Sequence, residues 1–263
     1  MPAKLKRIVS IANQKGGVGK TTTAVNMAAA ISRRGHKVLI VDLDPQGNAS
    51  TGLGVSPENR EFTAYDILVD GIDITKAIVE TDVKNLSIIT SNVDLSSADA
   101  ELMNDRGRLL RLRSSLNEIK GFDYIFIDCP PSLNLLTINA FAASDSVLVP
   151  LQSEFYALEG LSQLILTVRE VREALGTELF IDGVVLTMFD RRVKLAQQVE
   201  IDVRENLKNL VYKTIIPRTV RLSEAPSYGE TILEYDASGR GAEAYLALGA
   251  EFLKRDKVKQ KKF

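Results

Sequence analysis

Two stretches of this chain have the residue types and spacing for chemistry on a polyphosphate. One is the run Asn13-Gln14-Lys15-Gly16-Gly17-Val18-Gly19-Lys20-Thr21-Thr22. Gly16, Gly17 and Gly19 let successive backbone N–H groups converge on an anion, and the helix expected to follow aims its positive end at the same point. Lys20 can then neutralise the outer phosphates and the Thr21 hydroxyl can ligate Mg²⁺, with Val18 and Thr22 completing the turn into the helix. The other stretch is a set of carboxylates, Asp42 and Asp44 after one apolar run and Asp128 after another. Strand ends of this kind are where an open parallel sheet presents its ligands. Asp42 can instead hydrogen-bond the phosphate loop from inside, and the Pro and Gly beside Asp44 also suit a plain turn.

One lysine is surplus to this chemistry. The usual pattern of Gly, four residues, then Gly-Lys-Thr has Gln14 at its first position here, and Lys15 precedes the paired glycines. A single lysine serves the phosphates within one subunit, so Lys15 is either a solvated loop residue or has another task. The motif as a whole resembles the deviant Walker A family, which includes ParA/Soj partition ATPases, MinD and the nitrogenase iron protein. That resemblance implies that Lys15 reaches across a dimer interface to the partner subunit's nucleotide. It also implies that Asp128 holds a Mg²⁺-bound water and that Asp44 positions or activates the attacking water. Lys15, Lys20, Asp44 and Asp128 are then the catalytic set, with Thr21 and, through water, Asp128 at the metal. Pro130, Pro131 and Ser132 resemble a second switch loop, although turn chemistry alone explains the prolines.

The elements that must position these residues alternate along the chain. Apolar runs at 6–12, 38–41, 86–89, 124–127, 146–150, 181–187 and 211–216 read as strands. Helical spacing marks 20–34, closed by Gly35, then short candidates at 63–69 and 73–80, and longer ones at 97–119, 157–175, 195–208 and 239–254. Residues 49–62 read as a polar loop. Strand and helix in this order predict an open, twisted, mostly parallel sheet with helices on both faces. The expected organisation is a single ATPase domain over 1–253 and a frayed basic tail over 254–263.

Composition narrows the function. The 263 residues are 45% hydrophobic, enough for a sizeable core. No apolar run spans a bilayer, and the start, Met1-Pro2-Ala3-Lys4-Leu5-Lys6-Arg7, does not read as a signal peptide, so a cytoplasmic protein is expected, and the ParA/Soj resemblance implies that it is nucleoid-associated. The single Cys129 rules out an internal disulfide framework and weighs against an iron–sulfur cluster bridged by two cysteines per subunit. His36 is the only histidine, in a helix-to-strand turn where exposure is expected. Net charge is −1, yet residues 191–263 hold 15 Lys and Arg against 10 Asp and Glu. Much of that excess lies in the tail, a solvated end or a weak nucleic-acid contact.

Similarity to the ParA/Soj branch runs through most of the chain. Beyond the phosphate loop it includes Asp44–Asn48, Asp128–Ser132, Glu154–Gly160, Ile216–Arg218, Arg221–Ser227 and Gly239–Glu243. The resemblance implies an ATPase that dimerises as a nucleotide sandwich, binds double-stranded DNA without sequence preference, and is triggered by a ParB-like partner to segregate chromosomes or plasmids. Thr187-Met188-Phe189-Asp190 lacks a guanine reader, which favours ATP, and relatives frame adenine with the backbone after the last strand. Met188, Pro217 and Arg218 are therefore placed near the base. A DNA patch is expected on the C-terminal third, from among Arg191, Arg192, Lys194, Arg218, Arg221 and Arg240, each of which could equally be an ordinary surface or ion-paired residue. The competing reading is a MinD-like membrane-positioning ATPase. Its amphipathic anchor is poorly matched by a tail that offers only Val258 and Phe263.

Overall fold

The computed structural model describes residues 6–154 and 157–260. Met1–Leu5, Phe155 and Tyr156 of the Glu154–Gly160 block, and Lys261–Phe263 of the basic tail lie outside the described residues. The strands are β1 (Arg7–Ile11), β2 (Val38–Asp42), β3 (Ile78–Glu80), β4 (Leu86–Ile89), β5 (Tyr124–Asp128), β6 (Ser146–Gln152) and β7 (Phe180–Thr187). They form one sheet in the order β3-β4-β2-β5-β1-β6-β7. Every pairing is parallel except β3 with β4. The helices are α1 (Lys20–Ser32), α2 (Asn48–Gly52), α3 (Ala98–Glu101), α4 (Arg111–Glu118), α5 (Leu135–Ala143), α6 (Ala157–Leu175), α7 (Lys194–Leu207), α8 (Arg221–Glu224), α9 (Ile232–Tyr235) and α10 (Arg240–Gln260).

Strand parity divides the core. Leu39, Val41, Ile125 and Ile127 face one layer with Leu112 and Leu116 of α4, Phe141 of α5 and Leu164 of α6. Val38, Ile40, Tyr124 and Phe126 face the other, with Met27 and Ile31 of α1 and Tyr245, Leu248 and Phe252 of α10. Burial on both sides explains why β2 and β5 read as unbroken apolar runs. Small residues bring α1 and α10 together: a Cβ on Gly249 would sit 3.1 Å from that of Ala30.

Several expectations need correction. Residues 211–216 do not form a strand but touch β7 at two points, the isolated bridge Val184–Val211 and the Ile216 N–H donated to the Leu186 carbonyl at 2.8 Å. Between those contacts the backbone N–H groups of Lys213 and Thr214 donate to the Glu251 carboxylate, both at 2.9 Å, so a side chain of α10 takes the bonds a strand would make. Ile78–Glu80, expected to end a helix, is an antiparallel edge strand. The long helical pattern at 97–119 breaks into α3 and α4. Within the polar loop at 49–62 lies α2, and α5 was not anticipated at all. Helix α10 continues to Gln260, so the segment from residue 254 to 260 is helical rather than frayed. Arg255 lies over the Tyr212 ring at 3.8 Å and donates to the Val211 carbonyl at 2.8 Å. His36 is half-buried, with Nδ1 3.6 Å from the Asp123 carboxylate and its ring edge-on to Tyr124.

Candidate nucleotide site

β1 lies centrally, between β5 and β6, and the glycine run leaves its C-terminal end. Gly17 and Gly19 adopt left-handed φ values of 73° and 83°, which side-chain-bearing residues seldom take. The loop is anchored to the sheet by groups to which the sequence reading gave no role. Asn13 donates Nδ2–H to the Pro150 carbonyl at 2.8 Å while its Oδ1 accepts from the Lys15 N–H at 3.0 Å. The Thr187 hydroxyl, at the end of β7, donates to the Val18 carbonyl at 2.8 Å. An Asn or Thr at a strand end reads from sequence as turn chemistry, so only the parallel register reveals these anchors.

Lys20 is buried, and its ammonium donates to the Lys15 carbonyl at 3.1 Å. Burial holds it below the ordinary lysine range, while Asp128, Cys129 and Asp44 act to favour its charge. Asp128 is fully buried and neither carboxylate oxygen has a hydrogen bond of ordinary length. Burial and then the nearby Asp42 raise its pKa well above the carboxylate range, against the opposing pull of the Thr21 hydroxyl. Asp42 serves the segment after β2 rather than the phosphate loop. Its oxygens accept from the Ser50 N–H at 2.9 Å, the Ser50 hydroxyl at 2.7 Å and the Asp44 N–H at 3.2 Å. Burial still pushes its pKa up to about 6. Asp44 is buried, and its Oδ1 accepts from the Gln46 N–H at 3.0 Å.

Alongside runs a cavity of about 740 Å³, lined by Gly19, Thr21, Thr22, Met188, Pro217 and Arg218 among others. Two of the three residues placed near the base belong to a locked bracket: Phe189 N–H donates to the Ile216 carbonyl at 3.0 Å and Arg218 N–H to the Phe189 carbonyl at 3.1 Å. Met188 is held at φ 50° beside Gly19, its Cε 3.7 Å from where a Cβ on that glycine would stand. The α1 residue Asn26 also lines the cavity, and its Oδ1 accepts from the Ile232 N–H at 2.7 Å. Gly16 is exposed. Lys15 is half-exposed, and its ammonium donates to the Glu154 carboxylate of its own subunit.

The six cations expected to contact DNA do not form one uniform patch. Arg192 and Arg218 line the nucleotide cavity, and Arg192 grips Asp190 with Nε at 3.0 Å and Nη2 at 2.7 Å. Arg221 pairs with Glu224 at 3.1 Å and lies over the Tyr235 ring. Arg191, Lys194 and Arg240 are exposed and make no ion pair among the described residues.

The site can therefore cradle a polyphosphate, place one desolvated ammonium on it, and offer two buried carboxylates at its edge. The Thr21 hydroxyl and the unsatisfied Asp128 fit Mg²⁺, which is commonly held by one or two protein groups together with waters and substrate phosphates.

Known proteins resemble this chain in sequence and fold. A family model described as an AAA domain matches residues 6–181. The sporulation initiation inhibitor protein Soj of Bacillus subtilis is 54% identical over 246 residues, covering 93% of this chain and 97% of Soj. The chromosome partitioning protein ParA of Caulobacter vibrioides is 49% identical over 265 residues, covering 100% of this chain and 99% of that protein. Cobyrinic acid a,c-diamide synthase from Mycobacterium smegmatis, solved with bound ADP and magnesium, has a TM-score of 0.84 at 34% identity and covers 96% of both chains. Identity to the two partition proteins is far higher than to the synthase and extends along nearly their whole length; the chain belongs to the ParA/Soj family of chromosome-partition P-loop ATPases.

Proposed function

We propose that the protein hydrolyses ATP with Mg²⁺ to run a partition cycle. With ATP bound it forms a homodimer that holds double-stranded DNA without sequence preference, and a ParB-like partner stimulates hydrolysis and release. The observation that carries this reading is Asp128, buried without a hydrogen bond beside Thr21 and Lys20 at the end of the glycine run. A carboxylate left unsatisfied in a core is costly unless a ligand completes it.

In this reading the backbone N–H groups of 16–21 and the N-terminus of α1 bind the phosphates, and Lys20 neutralises the outer ones. Thr21 and, through water, Asp128 would hold Mg²⁺, which would supply charge neutralisation to the phosphates. Asp44 accepts a hydrogen bond from the attacking water and fixes its line of approach. As the water oxygen bonds to the γ-phosphorus, the bond to the bridging oxygen breaks; one water proton stays on the phosphate and the other passes to solvent, giving ADP and phosphate. Lys15 exchanges Glu154 for the phosphates of the neighbouring subunit's nucleotide, which couples dimer to ATP. Lys15→Ala is accordingly expected to bind nucleotide yet show no ATP-dependent dimer by size-exclusion light scattering. DNA held by weak cationic contacts on each subunit gains avidity only in the dimer.

Co-sedimentation tests the cycle directly. Full-length protein is pelleted with double-stranded DNA or, separately, with anionic liposomes, each with ATP, ADP or no nucleotide. Pelleting with DNA in ATP alone is the expected result. ATP-dependent pelleting with liposomes instead would select a MinD-like membrane role. Among the described residues no helix is long and apolar enough to cross a membrane.

A further inference from the structure

The segment 44–52 carries Asp44 at one end and delivers Asn48, Thr51 and Gly52 to the nucleotide cavity at the other. It is short, and α2 within it has no side-chain cap. Two tethers hold it. From the sheet side, Asp42 grips Ser50, whose hydroxyl oxygen accepts from the Ser91 N–H at 3.1 Å. From the other side a single residue outside the segment spans it. The Arg60 guanidinium donates from Nη1 to the Ser91 carbonyl at 2.8 Å and from Nη2 to the Thr51 hydroxyl oxygen at 2.8 Å. It also donates to the Val55 carbonyl, from Nη2 at 2.9 Å and from Nε at 3.2 Å.

Gly47, three residues after Asp44, is shaped to this guanidinium. Its φ is 62°, and a Cβ there would collide with Arg60 Nη1 and press to 3.0 Å on the Ser91 carbonyl oxygen. Asp44 and Gly47 are in turn joined by a bond from the Gly47 N–H to the Asp44 carbonyl at 2.9 Å. Arg60 thus bolts the turn that bears Asp44 to the end of β4 without itself lining the cavity. Only a planar fork of several donors can reach these acceptors at once.

We propose that Arg60 is a positioning residue for hydrolysis: it fixes the 44–52 turn so that Asp44 meets the attacking water, while making no contact with the nucleotide. This rests on the role given to Asp44 above. Catalytic geometry is sensitive, since a displacement of about 1 Å at a positioned group can cost on the order of a hundredfold.

Steady-state hydrolysis by the full chain with MgATP and DNA tests this in Arg60→Ala, Arg60→Lys, Asp44→Ala and the double variant Asp44→Ala/Arg60→Ala. Arg60→Ala is expected to lower kcat by roughly tenfold to a hundredfold, with KM for ATP within about twofold. Arg60→Lys should recover only part of that rate, because an ammonium cannot reproduce the fork. The double variant should be no slower than Asp44→Ala alone, since Arg60 acts through Asp44. Losses that multiply in the double variant, or a fall in ATP affinity and thermal midpoint matching the fall in kcat, would overturn the proposal in favour of a merely structural role. Normal turnover in Arg60→Ala beside a slow Asp44→Ala overturns the proposal alone. Normal turnover in Asp44→Ala removes the reading beneath it, and the proposal with it.

Discussion

At the N-terminal edge of the sheet, Arg7 on β1 lies 3.2 Å from Asp182 and 3.7 Å from Asp256, whose other oxygen accepts from the Tyr124 hydroxyl at 3.1 Å. Tyr212 donates to the second oxygen of Asp182, and Arg7 also stacks over the Phe180 ring at 5.1 Å. At the C-terminal edge the same strands bury Asp128 with no such complement, and Asp42 close by. Both edges take charge out of water, but only one ties its carboxylates into ion pairs and hydrogen bonds; at the other, Lys20 favours the ionised Asp128 only from a distance. The paired edge locks α10 to the sheet, whereas the other edge, in the function proposed above, is completed by a ligand. What sets Asp128 apart from Asp182 and Asp256 is therefore its lack of hydrogen bonds rather than its burial.

The largest expected effect is on the unpaired edge. Asp44→Ala should still bind ATP and dimerise, while kcat falls by on the order of a thousandfold, because the lost interaction is one made chiefly in the transition state. Single-turnover hydrolysis beside an ATP-binding titration checks this. Lost ATP binding would recast Asp44 as structural.

Breaking the paired edge should move stability instead. Asp256→Ala leaves Arg7 and Tyr124 without that acceptor and should cost about 3 kcal/mol in urea unfolding, as removal of one member of a buried pair does. ATP affinity should be unchanged. A variant of unaltered stability would show that the two edges do not differ as described.

Asp128→Asn should have the opposite sign to Asp256→Ala. Burial raises the folded-state pKa of Asp128 above its unfolded value, so the native protein is unpenalised at low pH and loses stability as pH rises through the folded value. Asp42, pushed up to about 6, adds a loss of the same sign between the ordinary carboxylate range and that pH. Without nucleotide, Asp128→Asn is expected to raise the thermal midpoint at pH 8 by about 2–4 °C, the shift given by about 1 kcal/mol in a domain of this size. The gain should shrink at pH 5, and calorimetry at the two pH values measures it.

The smallest effects concern surface cations. Lys194→Glu and Arg240→Glu should each weaken ATP-dependent DNA binding by about threefold and flatten its salt dependence. Arg221→Glu should do less, because Glu224 already neutralises that side chain. Fluorescence anisotropy across a salt series ranks them, and equal losses for all three would erase the distinction between paired and unpaired cations.

Legibility along the chain followed the reach of the interactions. The glycine run and the strands ending in Asp42 and Asp128 were readable because a tight anion-binding turn and a doubly buried strand each impose local composition. Helix α5 was missed because Leu135–Ala143 is almost entirely buried, which erases the amphipathic period; its one local sign is Asn134, whose Oδ1 accepts from the Thr137 N–H at 3.3 Å. Residues 211–216 looked like a strand because their apolar pattern says nothing of Glu251, some 37 residues away, which takes the N–H groups of Lys213 and Thr214 in the middle of the run.

Sequence by itself determined that this chain builds a phosphate cradle at the head of a helix, on a parallel sheet, with a surplus lysine before the paired glycines. Those properties follow from backbone freedom and short-range periodicity. Tertiary structure alone decided which polar groups are spent on one another: Lys15 on Glu154, Arg192 on Asp190, Asp42 on Ser50 and Arg60 across Gly47, with Asp128 left without a hydrogen bond of ordinary length. Pairing depends on separations of a few ångströms between residues distant in sequence, and Coulomb and hydrogen-bond energies fall steeply over that range, so only the fold can assign the partners.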